Sequence, residues 1–304
     1  MSGRRLFSVP ARRAALAPFL WMLLFFLLPF GFVLKISLSH AVIAQPPYLP
    51  VFDPAGGVAA FKAAIAALSL DNFRLLASDH FYALSYLRSV VVALVSTSIL
   101  LAVGYPIAYG MSRLPARWQP VAMILVIVPF WTSFLIRVYA WINILQHDGI
   151  LNKVLVALHL VSAPLVWLST DAAMYVGIVY SYLPFMILPL YATLAKIDPA
   201  LLEASADLGG SRLTTFWLVT APLSLPGIGA GALLCFIPIV GEFVIPDLLA
   251  GSASPMIGQT LWLEFFTNRD WPVASALAVV LLVLLLAPLL VYERVQRRRL
   301  EGAQ

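Results

Sequence analysis

The stretch Val273-Ala274-Ser275-Ala276-Leu277-Ala278-Val279-Val280-Leu281-Leu282-Val283-Leu284-Leu285-Leu286-Ala287-Pro288-Leu289-Leu290-Val291-Tyr292 carries no charged side chain and then meets Glu293-Arg294 and the cluster Arg297-Arg298-Arg299. About 20 helical residues cross roughly 30 Å of hydrocarbon, so this is a membrane span. The Arg cluster behind it is what holds a helix end at the cytoplasmic surface. Five more stretches meet the same length and polarity test, near 16–38, 84–111, 120–145, 172–195 and 224–249.

Composition agrees with that reading. Of 304 residues 62% are hydrophobic and 11% charged, against about 45–50% and about 25% in soluble domains. The mean hydropathy is +0.95, which excludes a soluble domain, a disordered chain, collagen and a coiled coil. The single Cys235 excludes an intramolecular disulfide and a thiolate metal cluster. His40, His80, His147 and His159 show no metal-ligand spacing, so no metal and no cofactor are expected. The net charge of +5 does not point to nucleic acid, because the Arg residues stand in short clusters beside apolar runs.

Those clusters set the topology. With six spans and both termini cytoplasmic, Arg4, Arg5, Arg12, Arg13, Arg113, Arg117, Lys196, Arg212, Arg294, Arg297, Arg298 and Arg299 fall inside, and Lys62, Arg74, Lys153 and Arg269 outside. This is the positive-inside bias. The run from Ala14 to Leu34 is too long for a signal peptide, and no A-x-A site follows it, so it reads as an uncleaved first helix. Leu151 to Leu160 is too short for a seventh crossing and reads as an interfacial or packed helix. Lys35 and Arg88 are expected to snorkel to the headgroups. Prolines in the spans, among them Pro106, Pro129, Pro184, Pro189, Pro238 and Pro288, predict kinks. The outer loop, residues 39–83, holds Gln45-Pro46-Pro47, Asp53-Pro54-Ala55-Gly56-Gly57 and a short amphipathic helix near Asp71 to Leu76. It reads as a folded surface element suited to docking.

No phosphate-binding loop, no H-E-x-x-H and no G-x-S-x-G is present in the sequence, so the chain is not expected to be an enzyme and its energy must come from another protein. The informative segment lies in the inner loop, residues 196–222: Asp198-Pro199-Ala200-Leu201-Leu202-Glu203-Ala204-Ser205-Ala206-Asp207-Leu208-Gly209-Gly210-Ser211-Arg212. Asp198 suits an N-cap, Pro199 the first helical position and Gly209 the left-handed turn that ends a helix. At 100° per residue Leu201, Ala204, Ser205 and Leu208 share one face, expected to pack. Glu203 and Asp207 face the other way, toward a cytosolic partner. An amphipathic helix lying on lipid carries Lys and Arg on its polar face instead.

Glu203-Ala204-Ser205, Gly209 six residues after the Glu, and Val219-Thr220-Ala221-Pro222 resemble the E-A-A-x3-G-x9-I-x-L-P motif of the membrane subunits of bacterial ABC importers. Ser205, Val219 and Ala221 depart from the motif, each by a small or apolar residue, and the spacing is kept. The resemblance implies that Glu203, Ala204, Ser205, Asp207, Gly209 and Pro222 belong to a coupling loop seated in an ATPase cleft. Three further strings, Pro129 to Trp141, Val240 to Leu249 and Asn268 to Ala276, are similar to polyamine-importer permeases, the putrescine type above all and spermidine next. The implied fold is a single all-α polytopic permease domain with six transmembrane helices in the bacterial inner membrane. The implied partners are two ATP-binding subunits, a second homologous permease and a periplasmic binding protein, with lipid around them.

For a cationic substrate the candidates are Glu242 and Asp247, which the hydropathy pattern puts in the outer third of the fifth span. Acids at membrane depth are costly unless paired or facing a wet cavity. Arg137, at a similar depth in the third span, is the alternative partner for Glu242. Trp131 and Tyr139 offer π-faces to an ammonium group, and an outer aromatic belt accounts for Tyr139 and Trp141 equally. Two rival functions remain open: import of iron, sulfate or thiamine, and ion-driven secondary transport. The second requires a coupling-ion site and usually internal repeats, and no repeat between the halves is visible.

Overall fold

The computed structural model describes residue 16 and residues 18–51, 57–251 and 255–301. Arg4, Arg5, Arg12, Arg13 and the turn Asp53-Pro54-Ala55-Gly56 lie outside the described residues, as do the side chains of Arg298 and Arg299. In chain order the elements are α1 (Pro18–Ser37), β1 (His40–Ala41), β2 (Tyr48–Leu49), α2 (Gly57–Ala66), α3 (Asp71–Ser78), α4 (His80–Ser112), α5 (Gln119–Ile127), α6 (Phe134–Leu145), α7 (Ile150–Ala157), α8 (Asp171–Leu194), α9 (Pro199–Asp207), α10 (Arg212–Val240), α11 (Val244–Leu249), α12 (Ile257–Trp262) and α13 (Trp271–Glu301). The described residues are all-α apart from one antiparallel pair, His40 opposite Leu49 and Ala41 opposite Tyr48.

Among the described residues five helices are long and apolar enough to cross a membrane: α1, α4, α8, α10 and the Trp271–Arg294 part of α13. A sixth crossing exists if Gln119–Trp131 and Phe134–Ala157 form one broken span, bent by 88°. The expected third span, 120–145, is therefore not a straight helix. Its cause is local: Pro129 sits in a tight turn, Val128–Trp131, and Thr132 and Ser133 are extended. The Thr132 hydroxyl donates to the Pro129 carbonyl at 2.7 Å, satisfying an acceptor that the interrupted ladder leaves open.

The fifth span also differs from the expected 224–249. It starts at Arg212, where the Ser211 hydroxyl accepts the Thr214 N–H at 3.2 Å as an N-cap, and it ends at Val240. A break at Gly241-Glu242-Phe243 follows, and α11 is a separate short helix. Hydropathy alone ran through this break because the residues on both sides are apolar.

The described residues fall into two compact units, one within Met1–His80 and Leu261–Val283, the other within Phe81–Thr260 and Leu284–Gln304. In the first, α1 has none of its most apolar window buried, the surface of a helix that needs lipid or another chain around it. Below it Lys35 is not free to snorkel: its ammonium donates to the Pro50 carbonyl and lies 4.3 Å from the centre of the Tyr48 ring. The Asn72 amide donates to the carbonyls of Ser37 and Ser39, each at 2.8 Å, which ties α3 to the end of α1. Tyr48 also meets Trp271, and Trp271 stacks on Phe265 with centroids 5.0 Å apart. The short helix expected near Asp71 is in place as α3.

In the second unit the pairing of α8 with α10 forms the centre. Met174, Ile178, Met186, Leu190, Cys235 and Ile239 are all fully buried there. Gly231 allows the approach, since a Cβ there would stand 2.8 Å from the Met186 sulfur. On α4 the inward face includes Ser85, Ser89, Ser96, Gly104 and Ala108, small residues that let membrane helices close on one another. Ser89 Oγ accepts the Ile257 N–H at 2.8 Å, and Thr260 reaches Ser85 at 3.2 Å. Arg88 is held as well, against Asp171 at 2.6 Å, so the snorkelling expected of it is replaced by an ion pair between α4 and α8.

Candidate functional site

The segment between α8 and α10 folds as its residues dictate. The Asp198 carboxylate accepts the Ala200 N–H at 3.0 Å, and Pro199 opens α9 at the position where a missing N–H costs nothing. At the other end Gly209 has φ +81°. The Gly209 N–H donates to the Ala206 carbonyl at 2.8 Å and the Gly210 N–H to the Ser205 carbonyl at 2.9 Å, the paired bonds of a Schellman ending. Gly210 is required by contact as well, because a Cβ there would lie 2.7 Å from the Ser205 carbonyl oxygen.

The helix is turned from the expected orientation by about one residue. Leu202 and Ser205 are half-buried and face the root of α10, where the Ser205 and Thr215 hydroxyls stand 2.8 Å apart. Leu208, expected to pack, is 89% exposed. The Schellman turn is the reason: it folds Gly210 back over Ser205 and so fixes which side of α9 faces inward. Glu203, Ala204, Asp207 and Leu208 are left together on the open side. A cleft of 660 Å³ runs between α9 and α10, with Tyr109, Leu202, Arg212 and Phe216 on its walls. Pro222 sits exposed in the first turn of the α-helical part of α10, after a π-helical turn over Phe216–Thr220.

The second group of candidates is dispersed. Glu242 is 8% exposed and turns its carboxylate back into the break after α10. Oε1 accepts the Val244 and Ile245 N–H groups at 3.1 and 3.4 Å, and Oε2 accepts the Tyr182 hydroxyl. Among the described residues no Lys or Arg forms an ion pair with it. Arg137 is not its partner: the guanidinium lies 4.3 Å from the Phe130 ring centre and 5.7 Å from that of Phe134. Arg137 Nε and Nη1 are buried with no hydrogen-bond acceptor among the described residues. The 88° bend of the third span explains this, because it carries Arg137 off the straight path on which its depth was reckoned. Asp247 is exposed, and Trp131 and Tyr139 are 81% and 53% exposed, so neither ring stands at Glu242.

What does stand there is Tyr182, with Phe185 at a centroid distance of 6.1 Å and Phe130 a further 5.5 Å on. Sequence reasoning passed over all three. The available signal was Tyr182 and Phe185 three residues apart, hence on one face of a span, with a phenol hydroxyl in a largely apolar stretch.

No family model matches the chain. It is 41% identical over 230 residues, 75% of this chain and 83% of the relative, to the spermidine/putrescine transport system permease protein PotB of Escherichia coli (strain K12). With PotB of Haemophilus influenzae it shares 41% over 216 residues, 71% of this chain and 76% of the relative. Among solved structures, a bacterial ABC transporter involved in the import of the acidic polysaccharide alginate matches with a TM-score of 0.69 at 16% identity, covering 95% of each chain, a likeness of fold. With that identity, that coverage and that fold, the chain belongs to the PotB family of ABC transporter permease proteins.

Proposed function

We propose that the chain is one of two homologous membrane subunits of an ATP-driven importer of linear polyamines, putrescine or spermidine. The observation that carries the reading is the 41% identity to PotB over three quarters of the chain, and the coupling-loop geometry supports it. The chain lies in the bacterial inner membrane as one permease domain with both termini cytoplasmic. It hydrolyses no ATP itself. The open face of α9 docks on an ATP-binding subunit through Glu203, Asp207 and Leu208, and two such subunits serve the pair of permeases. Ala204 fits because a small residue lets the partner approach. The outer hairpin and the Phe265 to Trp271 segment, which share a cleft of 470 Å³ lined by Pro46, Pro47, Phe266 and Arg269, receive the periplasmic binding protein. Glu242 contributes to the cation's pathway, with Arg137, Trp131, Tyr139 and Asp247 as further candidates along it. Purifying the assembled complex with its binding protein and measuring which polyamine stimulates ATP hydrolysis tests the reading. Stimulation by putrescine or spermidine is expected; stimulation only by sulfate, iron or thiamine overturns it.

A further inference from the structure

A buried carboxylate at membrane depth needs compensation, and among the described residues Glu242 obtains it from neutral donors: two backbone N–H groups and one phenol. An ammonium donor makes a stronger, charge-assisted bond to the same oxygen. At the other end of a row of aromatic rings the opposite imbalance exists, since Arg137 rests on an aromatic face with Nε and Nη1 lacking an acceptor among the described residues. The rings of Phe130, Phe185 and Tyr182 lead without interruption from that resident cation to the unpaired acid, each centroid 5.5 to 6.1 Å from the next.

We propose that Tyr182 is the positioning residue of a membrane-depth ammonium site: its hydroxyl holds the Glu242 carboxylate until a primary ammonium takes that place, and its ring, with Phe185 and Phe130, forms the wall along which the cation reaches it. The inference rests on the polyamine reading of the transporter and adds to it the residues that receive the charge. The phenol is a suitable stand-in, because it donates a hydrogen bond without bringing a charge that would have to be buried in the empty state. Displaced from the carboxylate, the same side chain offers the cation a π-face. Arg137 on Phe130 shows that this wall accepts a cation at van der Waals distance.

The test uses the assembled transporter with its binding protein in proteoliposomes and reads polyamine moved per ATP hydrolysed. Tyr182→Phe keeps the ring and loses the hydroxyl. It removes the donor that takes the carboxylate back when the cation leaves, so the cation is held about five-fold longer, the worth of one hydrogen bond, and the ratio is expected to fall by that factor, with complex yield and binding-protein-stimulated hydrolysis retained. In Glu242→Gln the carboxylate is gone, so adding Tyr182→Phe should lower the ratio no further. A wild-type ratio in Tyr182→Phe, or effects that multiply in the double variant, overturns the assignment. Should Tyr182→Phe fail to assemble, Phe185→Leu leaves the hydrogen bond intact and narrows the wall, and a wild-type ratio there is equally fatal. If the unaltered transporter moves no polyamine, the substrate reading fails first and the site with it; that outcome is distinct from transport that ignores Tyr182.

Discussion

The hydroxyls of Ser205 and Thr215 meet at 2.8 Å, joining the third residue of the proposed coupling motif to the root of α10. The contact orients α9 without making it rigid, since the motif of the family carries Ala at that position. Ser205→Ala is therefore expected to cost about 1 kcal/mol, one neutral hydrogen bond, and to leave uptake within about two-fold. Thermal unfolding and uptake of the variant check this together; uptake lost from a fully assembled complex would make the contact essential.

The open face of α9 should matter more than its inner face. Glu203→Lys puts a cation where a partner meets two acids, and Leu208→Glu puts a charge on a side chain that is 89% exposed in the chain alone. Neither change touches the interior, so expression and membrane insertion should persist while ATP-driven uptake falls at least ten-fold, the scale of one buried contact at an interface. Normal uptake by both variants removes α9 from the coupling role.

At the end of that helix two glycines act by different means. Gly209 needs its left-handed backbone, φ +81° with open space around it, so Gly209→Val pays about 1–2 kcal/mol of conformational strain. Gly210→Ala instead drives a Cβ to 2.7 Å from the Ser205 carbonyl and must move the turn. Gly210→Ala should thus impair coupling although alanine is the smaller substitution. Comparing uptake per assembled complex for the two variants checks it, and equal, wild-type uptake would show that the turn is not transmitting anything.

Much of this was legible in the sequence because its signals are local. Asp198, Pro199 and Gly209 each act within four residues, so the cap, the first turn and the ending of α9 could be read from residue type. The rotation of α9 could not, because it depends on Gly210 contacting Ser205 and on Thr215, ten residues on. Arg88 and Lys35 sit where snorkelling is the ordinary expectation, and only the fold brings Asp171 and Pro50 to them. The breaks at Thr132-Ser133 and Gly241-Phe243 are invisible to hydropathy, which averages over the few polar atoms that cause them. Tyr182 was missed for the same reason: one hydroxyl in an apolar span gains meaning only from the acid sixty residues away.

The topology assigned from the basic residues has a direct check. A reporter active only in the periplasm, fused after Gln304, should be silent, and the same reporter inserted after Gly57, at the start of α2, should be active. The reverse pattern would place Glu203 outside the cell and with it the coupling loop, leaving α9 without an ATPase to meet.

The last prediction concerns the two buried charges that the sequence suggested as a pair. Because Glu242 is bonded to Tyr182 and two backbone N–H groups while Arg137 lies on Phe130, neither neutralises the other in this state. Glu242→Gln keeps shape, its one amide oxygen can still accept the Val244 and Ile245 N–H groups while its NH2 donates to the Tyr182 oxygen, and it should leave complex yield near wild type while lowering polyamine uptake. Arg137→Gln removes a half-buried charge whose Nε and Nη1 have no acceptor among the described residues, so complex yield should hold or rise. The two effects should then be independent, with the double variant showing the product of the single ones. Recovery of uptake in the double variant would instead mean that Arg137 and Glu242 meet in another state of the transport cycle, and complex yield measured beside uptake tells that exchange apart from a simple loss of stability.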